Sequence, residues 1–118
     1  TIAEIAEVTF ARNTDGLSFS PLLLGRREEQ KAHPYLFWDF AGYGGQIAVR
    51  MGRWKGIKRN LRKKAAGPLE LYNLEEDISE TDSVADEYPD IVAAIEGIML
   101  RERTTPETEE FRFGTYRD

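Results

Sequence analysis

The residues of this chain that could do chemistry are few, and they gather in its middle third. His33, the only histidine, stands just before Pro34. A histidine serves nucleophilic hydrolysis when a Ser or Cys lies beside it and an acid orients it. No Gly-x-Ser-x-Gly elbow occurs and there is no cysteine. The lack of thiols also excludes disulfides and thiolate-bound zinc, and one histidine with scattered carboxylates is a thin ligand set for any zinc site. Glu75, Glu76, Asp77, Glu80 and Asp82 cluster as calcium ligands can, but the glycine and spacing of an EF-hand loop are missing; a solvated acidic loop is expected. Gly42, Gly44 and Gly45 fall between two expected strands, not between a strand and a helix, and read as a turn rather than a phosphate cradle. Arg50, Arg53, Lys55, Lys58, Arg59, Arg62, Lys63 and Lys64 surround Trp54. Such a pattern binds a polyanion or single-stranded nucleic acid when the aromatic is exposed. Trp54 is expected in the core, and the bland alternative is a solvated edge hairpin protected by its lysines.

The charge is distributed unevenly. Residues 1–39 carry four basic and six acidic side chains, residues 40–69 eight basic and none acidic, and residues 70–118 four basic and fifteen acidic. The middle block could hold an anion; the simpler expectation is that it is neutralised by the acidic end within one fold. At 118 residues, 41% hydrophobic with six Phe, five Tyr and two Trp, the chain fits one globular domain and not a disordered segment. No apolar run approaches the roughly 20 residues of a membrane span, and no signal peptide is recognisable. Because it begins at Thr1 and not at Met, the chain is expected to be processed or to belong to a longer protein.

The elements that would position these residues follow from periodicity. Thr1 and Glu4 have capping-box spacing, which predicts a short helix over 2–8. Ser20-Pro21 predicts an N-cap and first helical residue, with a turn or two of helix over 21–24 that ends at Gly25 and packs its three leucines on two sides. Residues 35–40 alternate as a strand, with Leu36, Trp38 and Phe40 on one face and Tyr35, Phe37 and Asp39 on the other. Both faces are largely apolar, so the strand is expected to be covered on both. Residues 46–51 alternate with Ile47, Val49 and Met51 inward and Arg50 outward. Gly52-Arg53 suits a two-residue hairpin. Residues 54–59 return as a third strand, where Trp54 and Ile57 have opposite parity; a bulge at Gly56 would bring both onto one face. Residues 69–74 make a fourth strand. Pro89 opens a helix over 89–103 with Ile91, Ile95, Ile98 and Met99 in one stripe. Beyond it, a tail must dock through Phe111, Phe113 and Tyr116 or stay mobile. The sum is an α+β fold: a four-stranded antiparallel sheet packed against one long C-terminal helix, with short N-terminal helices.

Five strings stand in register along the chain: Asp15-Gly16-x-Ser18-x-x-Pro21-Leu22-Leu23-x-Gly25; His33-Pro34-Tyr35-Leu36-Phe37-Trp38-Asp39-Phe40; Ala48-Val49-Arg50-Met51-Gly52-x-Trp54-Lys55; Glu70-Leu71-Tyr72-Asn73-Leu74; and Val84-Ala85 before Pro89-Asp90-Ile91. In this order they resemble the C-terminal part of a bacterial arylsulfatase-type sulfatase, over about residues 1–105. The resemblance implies a connector from an upstream catalytic domain (1–32), an α+β subdomain (33–104) that closes one side of the active-site cleft, and a tail (105–118). It implies a parent enzyme that hydrolyses sulfate esters with a formylglycine, made from Cys or Ser in Cys/Ser-x-Pro-x-Arg, and with calcium, in a periplasmic or extracellular setting. No serine here is followed by x-Pro-x-Arg, so no catalytic residue is carried over and the chain by itself is expected to be incomplete. His33 and Arg50 are the candidates for facing the substrate, and the upstream catalytic domain is the expected partner. Asn73, Ile78 and Asp82 stand where the family usually has Asp, Pro and Asn, which leaves the detail of the acidic loop open. Two other readings are a free-standing module that binds a polyanion or nucleic acid through its basic hairpin, and a self-associating fragment that pairs its uncovered apolar surface.

Overall fold

The computed structural model describes all residues except 10–13, 64–65 and 116–118. The chain forms two compact units, Thr1–Pro34 and Tyr35–Asp118. The first holds two single-turn helices, α1 (Ile2–Ile5) and α2 (Ser20–Leu23), and a 3-10 turn at Arg27–Glu29. The helix expected over 2–8 stops early, with Glu7 at φ +54°. Ser20 lies inside α2 and does not cap it; the Ser18 hydroxyl accepts from the Ser20 N–H at 3.2 Å. Leu22, Leu23 and Leu24 are exposed and do not pack on two sides as expected. One helical turn offers too little surface to gather a core around itself.

The second unit carries the fold. Four strands, β1 (Leu36–Phe40), β2 (Gln46–Met51), β3 (Trp54–Lys58) and β4 (Glu70–Asn73), pair antiparallel in chain order. The 14-residue helix α3 (Pro89–Glu102) lies against one face. Its stripe is as expected: Ile95, Ile98 and Met99 are buried, with Ile91 and Val92 packed at the edge. They meet Ile47 and Val49 of β2, Trp54 of β3 and Leu71 of β4. Burying a side chain such as Val49, Leu71 or Ile95 completely stabilises the fold by about 1.5–3 kcal/mol. Met51 and Trp54 face each other across the Gly52-Arg53 hairpin, with Gly52 at φ +58° in the first turn position.

Two expectations fail in physically informative ways. β3 has no bulge: Arg50 pairs with Lys55, Val49 with Gly56 and Ala48 with Ile57 in unbroken register. Trp54 and Ile57 therefore point to opposite faces. Gly56 is small because α3 crosses it, and a Cβ there would lie 2.7 Å from Ile95 Cγ2. Nor is β1 covered on both sides. Phe37 packs towards the core, whereas Leu36, Trp38 and Phe40 are exposed. In the tail, Phe113 is buried and Phe111 half exposed; Tyr116 lies outside the described residues.

Candidate functional site

The register of the sheet fixes which side chains share the face away from α3. One rung runs Leu36, Arg50, Lys55, Tyr72; the next runs Trp38, Ala48, Ile57, Glu70; Phe40 and Gln46 follow. The acidic loop after β4 folds back over the far side of this face, so that Trp38, Ala48, Arg50, Lys55, Ile57, Leu74, Ile78 and Glu80 enclose a cleft of about 420 Å³. Lys55 is bound to Glu80 across it. Arg50 is exposed, and its Nε donates to the Gly52 carbonyl at 3.3 Å. Tyr72 is buried on this face; its hydroxyl donates to Glu70 Oε2 at 2.7 Å, and Arg59 Nε donates to the same oxygen at 3.2 Å. Burial, and then the neighbouring Glu70 carboxylate, push the Tyr72 phenol up to about 12.

A second cleft, of about 520 Å³, opens at the end of the sheet where Phe37, Asp39, Phe40 and Gly42 meet Glu102, Pro106, Phe111 and Phe113. Its walls are set by Arg103. That buried guanidinium donates from Nε to Asp39 Oδ2 at 2.9 Å, from Nη1 to the Thr115 carbonyl at 2.9 Å and from Nη2 to the Phe113 carbonyl at 2.5 Å. It also lies 4.3 Å from the centre of the Phe113 ring, with Arg62 at 5.4 Å. The three nitrogens of one arginine thus join β1, the end of α3 and the tail. Nearby, the Tyr35 hydroxyl donates to Glu102 Oε1 at 2.6 Å and Arg101 donates to both. These bonds, the Tyr35 hydroxyl first, hold the Glu102 carboxyl below its ordinary range.

The basic block meets the acidic end inside the fold. Arg53 pairs with Glu75, Lys55 with Glu80, Lys58 with Glu96 and Arg59 with Glu70, while Arg62 donates to the Ala41 and Glu110 carbonyls. Trp54 is buried beside the Tyr88 ring and offers no stacking surface. In the acidic loop, Asp77 accepts from the N–H groups of Thr81 and Asp82 at 2.8 and 3.0 Å. Those bonds, that from Asp82 first, hold its carboxyl below the usual range. Asp77 therefore shapes the loop. Among the described residues no group of three or more His, Cys, Asp or Glu side chains could hold a metal ion. They do not fit a calcium site.

Of the two residues singled out from the sequence, His33 lies exposed in the first unit, and Arg50 lies in the second, in the cleft on the outer face. Sequence reasoning missed Trp38 as a cleft residue and Arg103 as a structural node. The first was recoverable: once Val49 is assigned inward, antiparallel pairing turns Trp38 outward with Ala48. The second carried no local signal, since an arginine at a helix end is ordinary.

No family model and no curated protein matches the chain. Solved structures do. The chain superposes on BT33336S-sulf, from work on the metabolism of multiple glycosaminoglycans by Bacteroides thetaiotaomicron, with a TM-score of 0.60 and 19% identity, over 83% of this chain and 22% of that one. It superposes on Ps i-CgsB with a TM-score of 0.60 and 28% identity, over 82% of this chain and 21% of that one. The fold is sulfatase-like. The chain spans about a fifth of the length of the structures it matches.

Proposed function

We propose that this chain is the C-terminal subdomain of a sulfatase, completing the parent's fold and forming one wall of the cleft in which a sulfate ester is hydrolysed. The reading is carried by the superposition of more than four-fifths of the chain onto about a fifth of a sulfatase structure. The five ordered sequence strings support it independently of shape. The nucleophile and the calcium ion belong, on this reading, to the upstream part of the parent, where they supply attack on sulfur and charge neutralisation of the sulfate oxygens. What this chain contributes is binding. Arg50 offers a permanently charged donor fork to an anionic substrate, and His33 is the second candidate for the cleft edge. The periplasm or the extracellular space is the expected setting of the parent.

The test is to extend the reading frame upstream of Thr1 and to assay both products for sulfate release from 4-nitrophenyl sulfate with calcium present. A Cys/Ser-x-Pro-x-Arg motif upstream, activity in the full-length protein and none in the 118-residue chain are the expected results. Turnover by the 118-residue chain, or an upstream sequence without the motif, overturns the reading.

A further inference from the structure

The two faces and the two edges of the sheet are treated differently by the fold. α3 covers one face. The edge at β4 is closed: the Leu71 N–H is bonded to the Ser83 hydroxyl at 3.1 Å, and the Leu71 carbonyl accepts from the Val84 N–H at 2.9 Å. The other edge, β1, has no such cover among the described residues, and it carries none of the devices that keep edge strands apart. Its sequence, Leu-Phe-Trp-Asp-Phe, has no lysine, no proline and no bulge. Its one charge, Asp39, is turned to Arg103. On the outer face, Leu36, Trp38 and Phe40 stand in a row at 41, 49 and 54% exposure. An apolar row on an unprotected edge is costly to leave in water and is ordinarily a contact surface.

We infer that the β1 side of the outer face is the surface on which the upstream part of the parent protein docks, with Trp38 at its centre and Arg50 at its rim. The inference rests on the sulfatase reading for the identity of the occupant. The occupant is an apolar surface on the same polypeptide, because the matched structures are about four times as long as this chain. A tethered surface also reaches β1 at an effective concentration that a second copy does not. Arg50 sits one rung from Trp38 towards the Gly52-Arg53 turn, so it is left at the margin, where a substrate anion in a cleft beside the contact can reach it.

Hydroxyl-radical footprinting of the two tryptophans tests this, with buried Trp54 as the internal standard. In the full-length protein Trp38 is expected to react as slowly as Trp54, and in the 118-residue chain about ten-fold faster than Trp54, since interface cores exclude water. Fast reaction of Trp38 in the full-length protein overturns the inference. So does protection of Trp38 in the 118-residue chain that disappears on dilution, which would assign the surface to a second copy. The two readings separate cleanly. A full-length protein that protects Trp38 but releases no sulfate keeps the docking surface and rejects the enzyme. One that releases sulfate with Trp38 reactive does the reverse.

Discussion

At Gly56 the backbone of β3 and the side chain of Ile95 leave no room for a methyl group, since the added carbon would sit 2.7 Å from Ile95 Cγ2 and 3.3 Å from Leu69 Cδ2. Gly56→Ala is expected to destabilise the fold by about 1–3 kcal/mol, the usual range for overpacking, measured as a lower midpoint in urea denaturation. Gly52→Ala acts differently. It meets nothing within 4 Å and is disfavoured only by φ +58°. The sequence made Gly56 visible as an exception to alternation but suggested the wrong cause, because a bulge and a close helix both call for glycine. Only the crossing point of α3 tells them apart, and no local pattern encodes it. Arg50 was legible as an outward residue and is one. On the proposed sulfatase reading, Arg50→Ala in the full-length protein is expected to raise KM for a sulfate ester about ten-fold or more, the effect of losing one charged hydrogen bond, while the chain's thermal unfolding is unchanged. Steady-state kinetics beside a melting curve provides the check.

Among the elements, β2 and its turn into β3 were readable, whereas the path of β3 through Gly56 was not. Ile47, Val49 and Met51 alternate inward, and Gly52 supplies the turn. β1 was readable as a strand but not as a surface, because an apolar residue looks the same in sequence whether its own domain or another covers it. β4 shows an element whose chemistry emerges only from packing. Nothing about Leu-Tyr-Asn announces a perturbed phenol, yet burial and then the Glu70 carboxylate raise Tyr72 to about 12, against the opposing pull of Arg59. The raised value means that the folded state favours the neutral phenol. Tyr72 therefore contributes its full stabilisation below the ordinary tyrosine value of 10 and loses it as pH rises through about 12. Denaturant midpoints followed from pH 9 to 12 (about the range in which tyrosines titrate) are expected to fall in the native chain, and to fall less in Tyr72→Phe.

Taken whole, the molecule resolves the charge asymmetry that its sequence displays. The basic middle and the acidic end are drawn together by the antiparallel return of the chain. Arg53, Lys55, Lys58 and Arg59 find carboxylates on the loop after β4, on β4 and on α3. Ion pairs that stay in reach of water, as these do, add little stability; their consequence is that the positive field is largely closed on itself. The chain is accordingly expected to pass through a heparin column and to leave single-stranded DNA unbound at about 50 mM salt, where phosphate contacts are strong. Salt-sensitive retention would revive the polyanion reading. The fold class was within reach of the sequence because strand period, turn residues and helix stripe agreed. The candidate site was not, because part of its wall is supplied by an acidic loop whose path depends on Asp77 accepting from Thr81 and Asp82.

The order β1-β2-β3-β4 also bears on how the unit is assembled. Each strand pairs with the one made just before it, so most of the sheet closes short loops and forms quickly. During synthesis the meander can zip up strand by strand behind the ribosome. The clamp on Arg103 cannot follow that schedule. Its partners include Asp39, near the beginning of the unit, and the carbonyls of Phe113 and Thr115, near its end. Until those last residues have been added, the guanidinium at the end of α3 has Asp39 but not the two carbonyls of the tail. The sheet is expected to form early in folding, and the sealing of its Asp39 corner late.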